Sequence, residues 1–207
     1  MKAIKWLFCY ISWVLVQQLH AQQQVIVVST QPLSYHAELQ RYLVNQQHWQ
    51  AIGAKIPVVI GQRGATTDKH EGDLKTPLGV FSLGSGFGTY VQNFVWPYIK
   101  LEKNLVCVDD PHSKYYNQLI NQKQIAKPHW LSGEQMLLQQ PQYSLGLIVN
   151  YNTINPKPSR GSCIFMHVWS SPKRGTAGCV AMSRQNMREI LMWLDPMLKP
   201  VLYTNQT

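Results

Sequence analysis

The chain has 207 residues, 45% of them hydrophobic and only 14% charged, with a formal net charge of +9. This composition excludes an intrinsically disordered polar chain and allows one well-cored domain, or two only if both are small. The positive surplus points to an anionic partner such as nucleic acid, a membrane surface or a cell-wall polymer, although scattered basic residues without a long run are equally those of a solvated basic surface.

In chain order, Met1–Lys5 carries two lysines, Trp6–Val16 is an apolar run, and Gln17–Ala21 ends in Leu19-His20-Ala21. That is the layout of a secretory signal cleaved before Gln22. The run is short of the ~20 residues a membrane-spanning helix needs, and an uncleaved anchor is the alternative. Residues 1–21 are therefore read as a signal peptide and 22–207 as the mature domain, located in the periplasm or otherwise exported, with no stable membrane span after cleavage. Export leaves Cys107, Cys163 and Cys179. In an oxidising compartment three cysteines imply one disulfide and one free thiol. Cys179 has a functional context, so the expected pair is Cys107–Cys163, against the alternative of two buried free thiols.

Val25–Thr30 (VIVVST) is β-branched and predicts a strand. Leu33–Gln46 places Tyr35, Leu39, Tyr42 and Leu43 near helical spacing and predicts a helix. Trp49–Ala54 and Ile56–Gly61 predict two short strands around Lys55, and Gln62–Thr76 a polar loop. Thr76-Pro77-Leu78-Gly79-Val80-Phe81 is a turn entering a strand. Gly84, Gly86 and Gly88 form a GxGxG-like stretch, but no helix or lysine follows where a phosphate loop needs one, so a loop is predicted. Phe94–Leu101, Asn104–Asp109 and Leu145–Asn150 read as strands. Asp109-Asp110-Pro111 reads as a turn rather than as paired catalytic carboxylates, because neighbours on a strand face opposite ways. Tyr115 and Tyr116 lie in a Tyr-rich segment able to line a groove. Ser132-Gly133-Glu134-Gln135 has the spacing of a capping box opening a short helix through Leu138. Ser162–Trp169 is an apolar strand, Arg184–Leu194 an amphipathic helix stopped before Pro196, and Pro200–Thr204 a last strand. The sum is a single domain, mainly β with a few short helices.

Residues two apart on a strand share a face, so Cys163, Phe165, His167 and Trp169 are expected to point one way. A buried histidine is held neutral, as a general base requires. A thiol becomes nucleophilic when a base or positive charge draws it toward thiolate. Cys179 follows Gly178 after a short loop; their N–H groups can converge on a tetrahedral oxyanion, and Lys173 and Arg174 add positive charge. The residues alone leave open a core histidine beside a core thiol. They also leave open a zinc site from Cys163, His167 and Cys179, though no paired CxxC or HxxxH spacing supports metal.

His167 followed by Thr176-Ala177-Gly178-Cys179-Val180-Ala181-Met182 resembles the catalytic signature of the L,D-transpeptidases (the YkuD-type domain): a histidine, a variable loop, then Ser/Thr-x-Gly-Cys and hydrophobic residues. Thr76–Phe81 resembles that family's TPxGxF strand entry and Ile56–Gly61 the strand before it, and the likeness runs from about Val25 to Tyr203. The resemblance implies an L,D-transpeptidase-like β-sandwich. In it Cys179 is the nucleophile, His167 is a base oriented by a backbone carbonyl just after it, Thr176 is the signature hydroxyl, and Gly178 with Cys179 supplies the oxyanion donors. No metal and no organic cofactor is implied.

The implied partners are peptidoglycan stem peptides, not nucleic acid. The thiolate attacks the carbonyl between meso-diaminopimelate and a terminal D-alanine, D-alanine leaves, and the thioester passes to an amine. A second stem as acceptor gives a 3→3 crosslink; a wall-attached protein lysine is another acceptor. Trp169, Arg174, Tyr115 and Tyr116 are candidate substrate contacts. Ala177 and Ala181 stand where many members carry histidine and arginine, and Lys173, Arg174, Arg160 or Arg63 are candidates to replace that charge. The departures leave two alternatives, a peptidoglycan carboxypeptidase or amidase and a non-catalytic wall-binding module.

Overall fold

The computed structural model describes residues 22–46 and 48–207, so the expected signal peptide at 1–21 lies outside the described residues. The first strands are β1 (Gln23–Thr30), β2 (His36–Asn45), β3 (His48–Val59), β4 (Ala65–Thr66), β5 (Thr76–Pro77), β6 (Gly79–Gly88) and β7 (Tyr98–Lys100). They are followed by β8 (Leu105–Val108), β9 (Gln118–Asn121), β10 (Glu134–Gln135), β11 (Leu145–Val149), β12 (Phe165–Val168), β13 (Val180–Met182) and β14 (Val201–Gln206). Among the described residues there is one α-helix, α1 (Arg184–Trp193), with four short 3₁₀ turns. The architecture is mainly β, as the sequence predicts.

Nine strands join in the order β11-β12-β13-β3-β2-β1-β14-β6-β7, and β6 folds this sheet over by pairing twice. Its first half, Gly79–Ser82, runs beside β14, and its second half, Leu83–Gly88, beside β11. The glycine stretch expected as a loop is thus the part of β6 that crosses between layers. Space is the reason. A Cβ on Gly84 would stand 2.9 Å from Ile148, and one on Gly86 2.9 Å from Leu191 of α1. Only bare backbone approaches so closely.

Residues 36–45, expected to be helical, form β2 because the segment pairs along its whole length with β1 on one side and β3 on the other. Two ladders of backbone hydrogen bonds and burial of Leu39 outweigh an apolar spacing compatible with either period. The two strands expected around Lys55 are one strand with a bulge. The register jumps from Leu39 opposite Ile56 to Arg41 opposite Ile52, Gly53 takes φ +70°, and Gln40 Nε2 donates to the Ile52 and Gly53 carbonyls at 3.1 and 3.2 Å. The helix expected at 132–138 is replaced by β10, where Glu134 pairs with Cys107, and a 3₁₀ turn at Met136–Leu138.

α1 begins at Ser183, whose hydroxyl accepts from Asn186 N–H at 3.2 Å. It buries Met187, Ile190 and Leu191 in the main core, which also holds Ile26, Val28, Leu39 and Val58. A smaller core lies between β11–β12 and the three-stranded sheet β10-β8-β9, with Phe87, Met136, Tyr143, Phe165 and Cys179 at its centre. Phe87, Tyr143 and Phe165 meet edge to face, with centroids 5.3 to 5.6 Å apart. The Cys107–Cys163 disulfide spans the same boundary across 56 residues, Cα to Cα 6.1 Å. Cys163 lies outside β12 with φ +52°, so the shared face expected for Cys163 through Trp169 holds only where the strand is regular.

Replacing Cys107 and Cys163 together by serine is expected to lower the unfolding free energy by about 2–5 kcal/mol. Urea titration measures this; an unchanged midpoint would mean that the aromatic contacts alone hold the small sheet.

Candidate active site

β12 and β13 run parallel, with His167 beside Ala181 and Met166 beside Val180. Paired residues on neighbouring strands share a face, so Phe165, His167 and Ala181 look the same way, and Cys179, one step before β13, falls in line with them. That face borders a cavity of about 300 Å³ whose walls include Cys179, His167, Trp169, Arg174, Glu134 and Tyr143.

His167 is buried, and its Nδ1 lies 2.8 Å from the Val168 carbonyl. A carbonyl oxygen only accepts, so Nδ1 carries the proton and Nε2 the lone pair. Burial lowers the imidazole to about 4, against a weaker upward pull from the Val168 hydrogen bond, and the ring is neutral at physiological pH. The Cys179 thiol accepts from Phe165 N–H at 3.3 Å and lies 3.5 Å from the Cys163 carbonyl. Burial first, then the negative charge of Glu134, raises it to about 12, opposed by the Phe165 N–H and Lys69. At rest the site therefore holds a thiol and a neutral imidazole, not an ion pair. Those are the parts of a nucleophile and a general base whose proton moves during attack.

The turn before Cys179 is held from both sides. Thr176 Oγ1 donates to the Cys179 carbonyl at 2.6 Å and accepts from Gly178 N–H at 3.1 Å. The expected pair of oxyanion donors is thereby altered, since one N–H is already engaged inside the turn. Gly178 takes φ +155°, and a Cβ there would stand 3.0 Å from the Lys75 carbonyl, so any side chain at this position is strained. Behind it runs the buried Lys69, whose ammonium meets Asp73 at 2.5 Å and the His70 carbonyl at 3.0 Å.

Of the substrate contacts expected from sequence, Trp169 and Arg174 line the cavity with Thr176. Tyr115 and Tyr116 do not. Tyr115 packs on His129 and Trp130, and Tyr116 is buried with its hydroxyl on Glu71. The zinc set is also removed, because Cys163 is bound to Cys107 and has no thiolate to offer. Sequence reasoning missed Glu134 and Tyr143. Glu134 lay inside the expected capping box, whose acceptor position is Gln135, so the spacing gave it no role; its carboxylate takes the Tyr143 hydroxyl. Lys69 and Asp73 sat in a polar loop where a four-residue spacing carries no helical meaning.

The chain matches the YkuD family, the L,D-transpeptidase catalytic domain, over residues 23–202. It belongs to that family. No match is found among the curated proteins. Among solved structures this YkuD domain is similar to the helical cell shape determining protein Pgp2 from Campylobacter jejuni, at 16% identity over 89% of this chain and 49% of that one, with a TM-score of 0.46. A point mutant of Pgp2 gives the same identity and TM-score, with 48% of its chain covered. The chain thus spans about half the length of the structures it matches. Among the described residues, no helix is long and apolar enough to cross a membrane.

Two groups at the site, one buried and one half-buried, titrate in opposition. His167 drops from 6.5 to about 4, whereas burial, opposed by the Tyr143 hydrogen bond and reinforced by Asp109 and Glu71, raises Glu134 from 4.5 to about 7. Between those limits the unfolded chain binds the extra proton at His167, so that residue makes stability rise with pH. The folded chain binds the extra proton at Glu134, so that residue makes stability fall with pH. Urea midpoints across about pH 4.5–6.5 are expected to rise in Glu134→Gln and to fall in His167→Gln, each by the equivalent of about 2–3 kcal/mol. Slopes of the same sign in the two variants would contradict this balance.

Proposed function

We propose that the protein is an exported cysteine acyltransferase acting on peptidoglycan stem peptides through a thioester on Cys179. The supporting observation is the shared face of Cys179 and His167 on one cavity, with the imidazole lone pair on Nε2. Membership of the L,D-transpeptidase catalytic domain family supports that reaction class. The Cys107–Cys163 disulfide fits an oxidising compartment, which supports export to the periplasm or beyond.

As Sγ closes on the scissile carbonyl carbon, its proton passes to His167 Nε2. The Val168 carbonyl holds the resulting imidazolium in place through Nδ1–H. The oxyanion meets the Cys179 N–H, joined by Gly178 N–H when that group leaves Thr176 Oγ1. The carbon–nitrogen bond then breaks, and the proton on Nε2 goes to the departing amine of D-alanine. An incoming amine attacks the thioester, gives its proton to Nε2 and restores the thiol. A second stem as acceptor yields a 3→3 crosslink. Ala181 stands beside His167 on the cavity face, so an arginine there would enter the cavity; Arg174, already on its wall, takes over that charge for a substrate carboxylate.

Incubation with disaccharide tetrapeptides, followed by intact-protein and product mass spectrometry, tests the proposal. The wild-type protein is expected to show an adduct on Cys179, free D-alanine and crosslinked dimers. Cys179→Ala and His167→Ala are expected to lose acylation by about a thousandfold or more. Shortened monomers alone would make water the acceptor and the protein a carboxypeptidase. Full activity in Cys179→Ala would overturn the nucleophile, and unchanged peptide with retained wall binding would leave a non-catalytic module.

A further inference from the structure

One wall of the cavity carries a carboxylate that no cation answers. Glu134 lines the cavity with Cys179 and His167. Its hydrogen bond comes from the Tyr143 hydroxyl, and it forms no ion pair with any Lys, Arg or His among the described residues. Tyr143 is itself buried, its ring edge-on to Phe87 and Phe165 and 5.4 Å from that of His167. The phenol is therefore locked, and it holds the carboxylate at one place on the wall.

Nothing in the fold requires an acid there. Glu134 caps no helix, and its strand pairing with Cys107 uses backbone alone. A half-buried carboxylate beside an aromatic core costs stability unless a partner arrives. The potential around it is negative as well, because Asp109 and Glu71 stand close enough to push its carboxyl upward. Asp109 Oδ1 is also buried with no hydrogen-bond partner. Of the other titratable groups facing it, Tyr143, Cys179 and His167 are neutral at physiological pH, and Arg174 lines the same cavity without pairing to it. A recess of this kind concentrates cations.

We propose that Glu134, oriented by Tyr143, binds a protonated primary amine of the acyl donor, so that the cavity selects peptides carrying an ammonium group near the scissile carbonyl. The site rests on the reading of Cys179 as an acyl-transfer nucleophile. With Arg174 also on the wall, the cavity displays one negative and one positive side chain. That is the complement of an amino-acid centre bearing both an ammonium and a carboxylate.

Two synthetic tetrapeptides, identical except that the third-residue side-chain amine is free or acetylated, test the assignment. In calorimetry with Cys179→Ala, the free-amine peptide is expected to bind about tenfold or more tightly than the acetylated one. Adding Glu134→Gln is expected to bring that ratio close to one. Equal binding of the two peptides, binding of neither, or a ratio that survives Glu134→Gln overturns the proposal. Should Glu134→Gln not fold, Tyr143→Phe keeps the ring contacts and removes only the hydroxyl; its ratio is expected to fall about threefold or more, and an unchanged ratio overturns the assignment. Adduct formation on wild-type Cys179 is followed in parallel with the same peptides. Adducts formed equally from both remove the ammonium site and leave acyl transfer standing, whereas no adduct from either removes acyl transfer itself.

Discussion

A buried hydroxyl joins the two halves of the site. Thr76 Oγ1 accepts from Gly61 N–H at 2.8 Å, just past the end of β3, and donates to the Gly178 carbonyl at 2.8 Å. Thr76 is 1% exposed, so water cannot replace either bond, and an unpaired buried amide or carbonyl would cost about 1–3 kcal/mol. The peptide plane of Gly178 is therefore set by a residue about a hundred positions upstream. From that plane follow the direction of Cys179, the closure of the turn by Thr176 and the seat of Lys69 beneath it. Serine would retain the two bonds; the threonine methyl adds packing, and valine would lose both bonds.

Burial rather than pairing governs the electrostatics of the cavity. His167 is lowered, Cys179 is raised and Glu134 is raised, each chiefly because its charged form is removed from water. His167 and Cys179 are therefore both uncharged at rest, and Glu134, raised to about 7, is the one of the three that carries negative charge near physiological pH. The arrangement also lets the fold tolerate an acid and a base in one small core. Their opposed titrations flatten stability across mildly acidic pH.

The small sheet brings the far wall into place. β8 carries Cys107, β10 pairs with it, and the disulfide fastens both to Cys163, two residues before β12. Cys163 then serves twice, since its carbonyl also touches the Cys179 thiol while its N–H bonds the buried Asn117 side chain at 2.8 Å. Cys163 is thus a joint rather than a ligand.

Strand parity and motif spacing were sufficient to place His167 and Cys179 together, because both lie on adjacent strands joined by a short loop and the relevant period is local. The same holds for β1, β8, β11 and α1, whose apolar patterns match one period only. Local pattern failed at β2, where spacing admitted helix or strand and pairing on both sides decided. It failed at Gly84–Gly88, where the need for bare backbone arises from Ile148 and Leu191, and at Glu134, whose partner Tyr143 sits on another turn. The sequence by itself determined which histidine and which thiol share the cavity, the mainly β class and the cysteine pairing to expect. Only the tertiary structure decided which glycines serve contact, which tyrosines reach the cavity and where the unpaired carboxylate stands, because those depend on surfaces meeting across distances that no local period encodes.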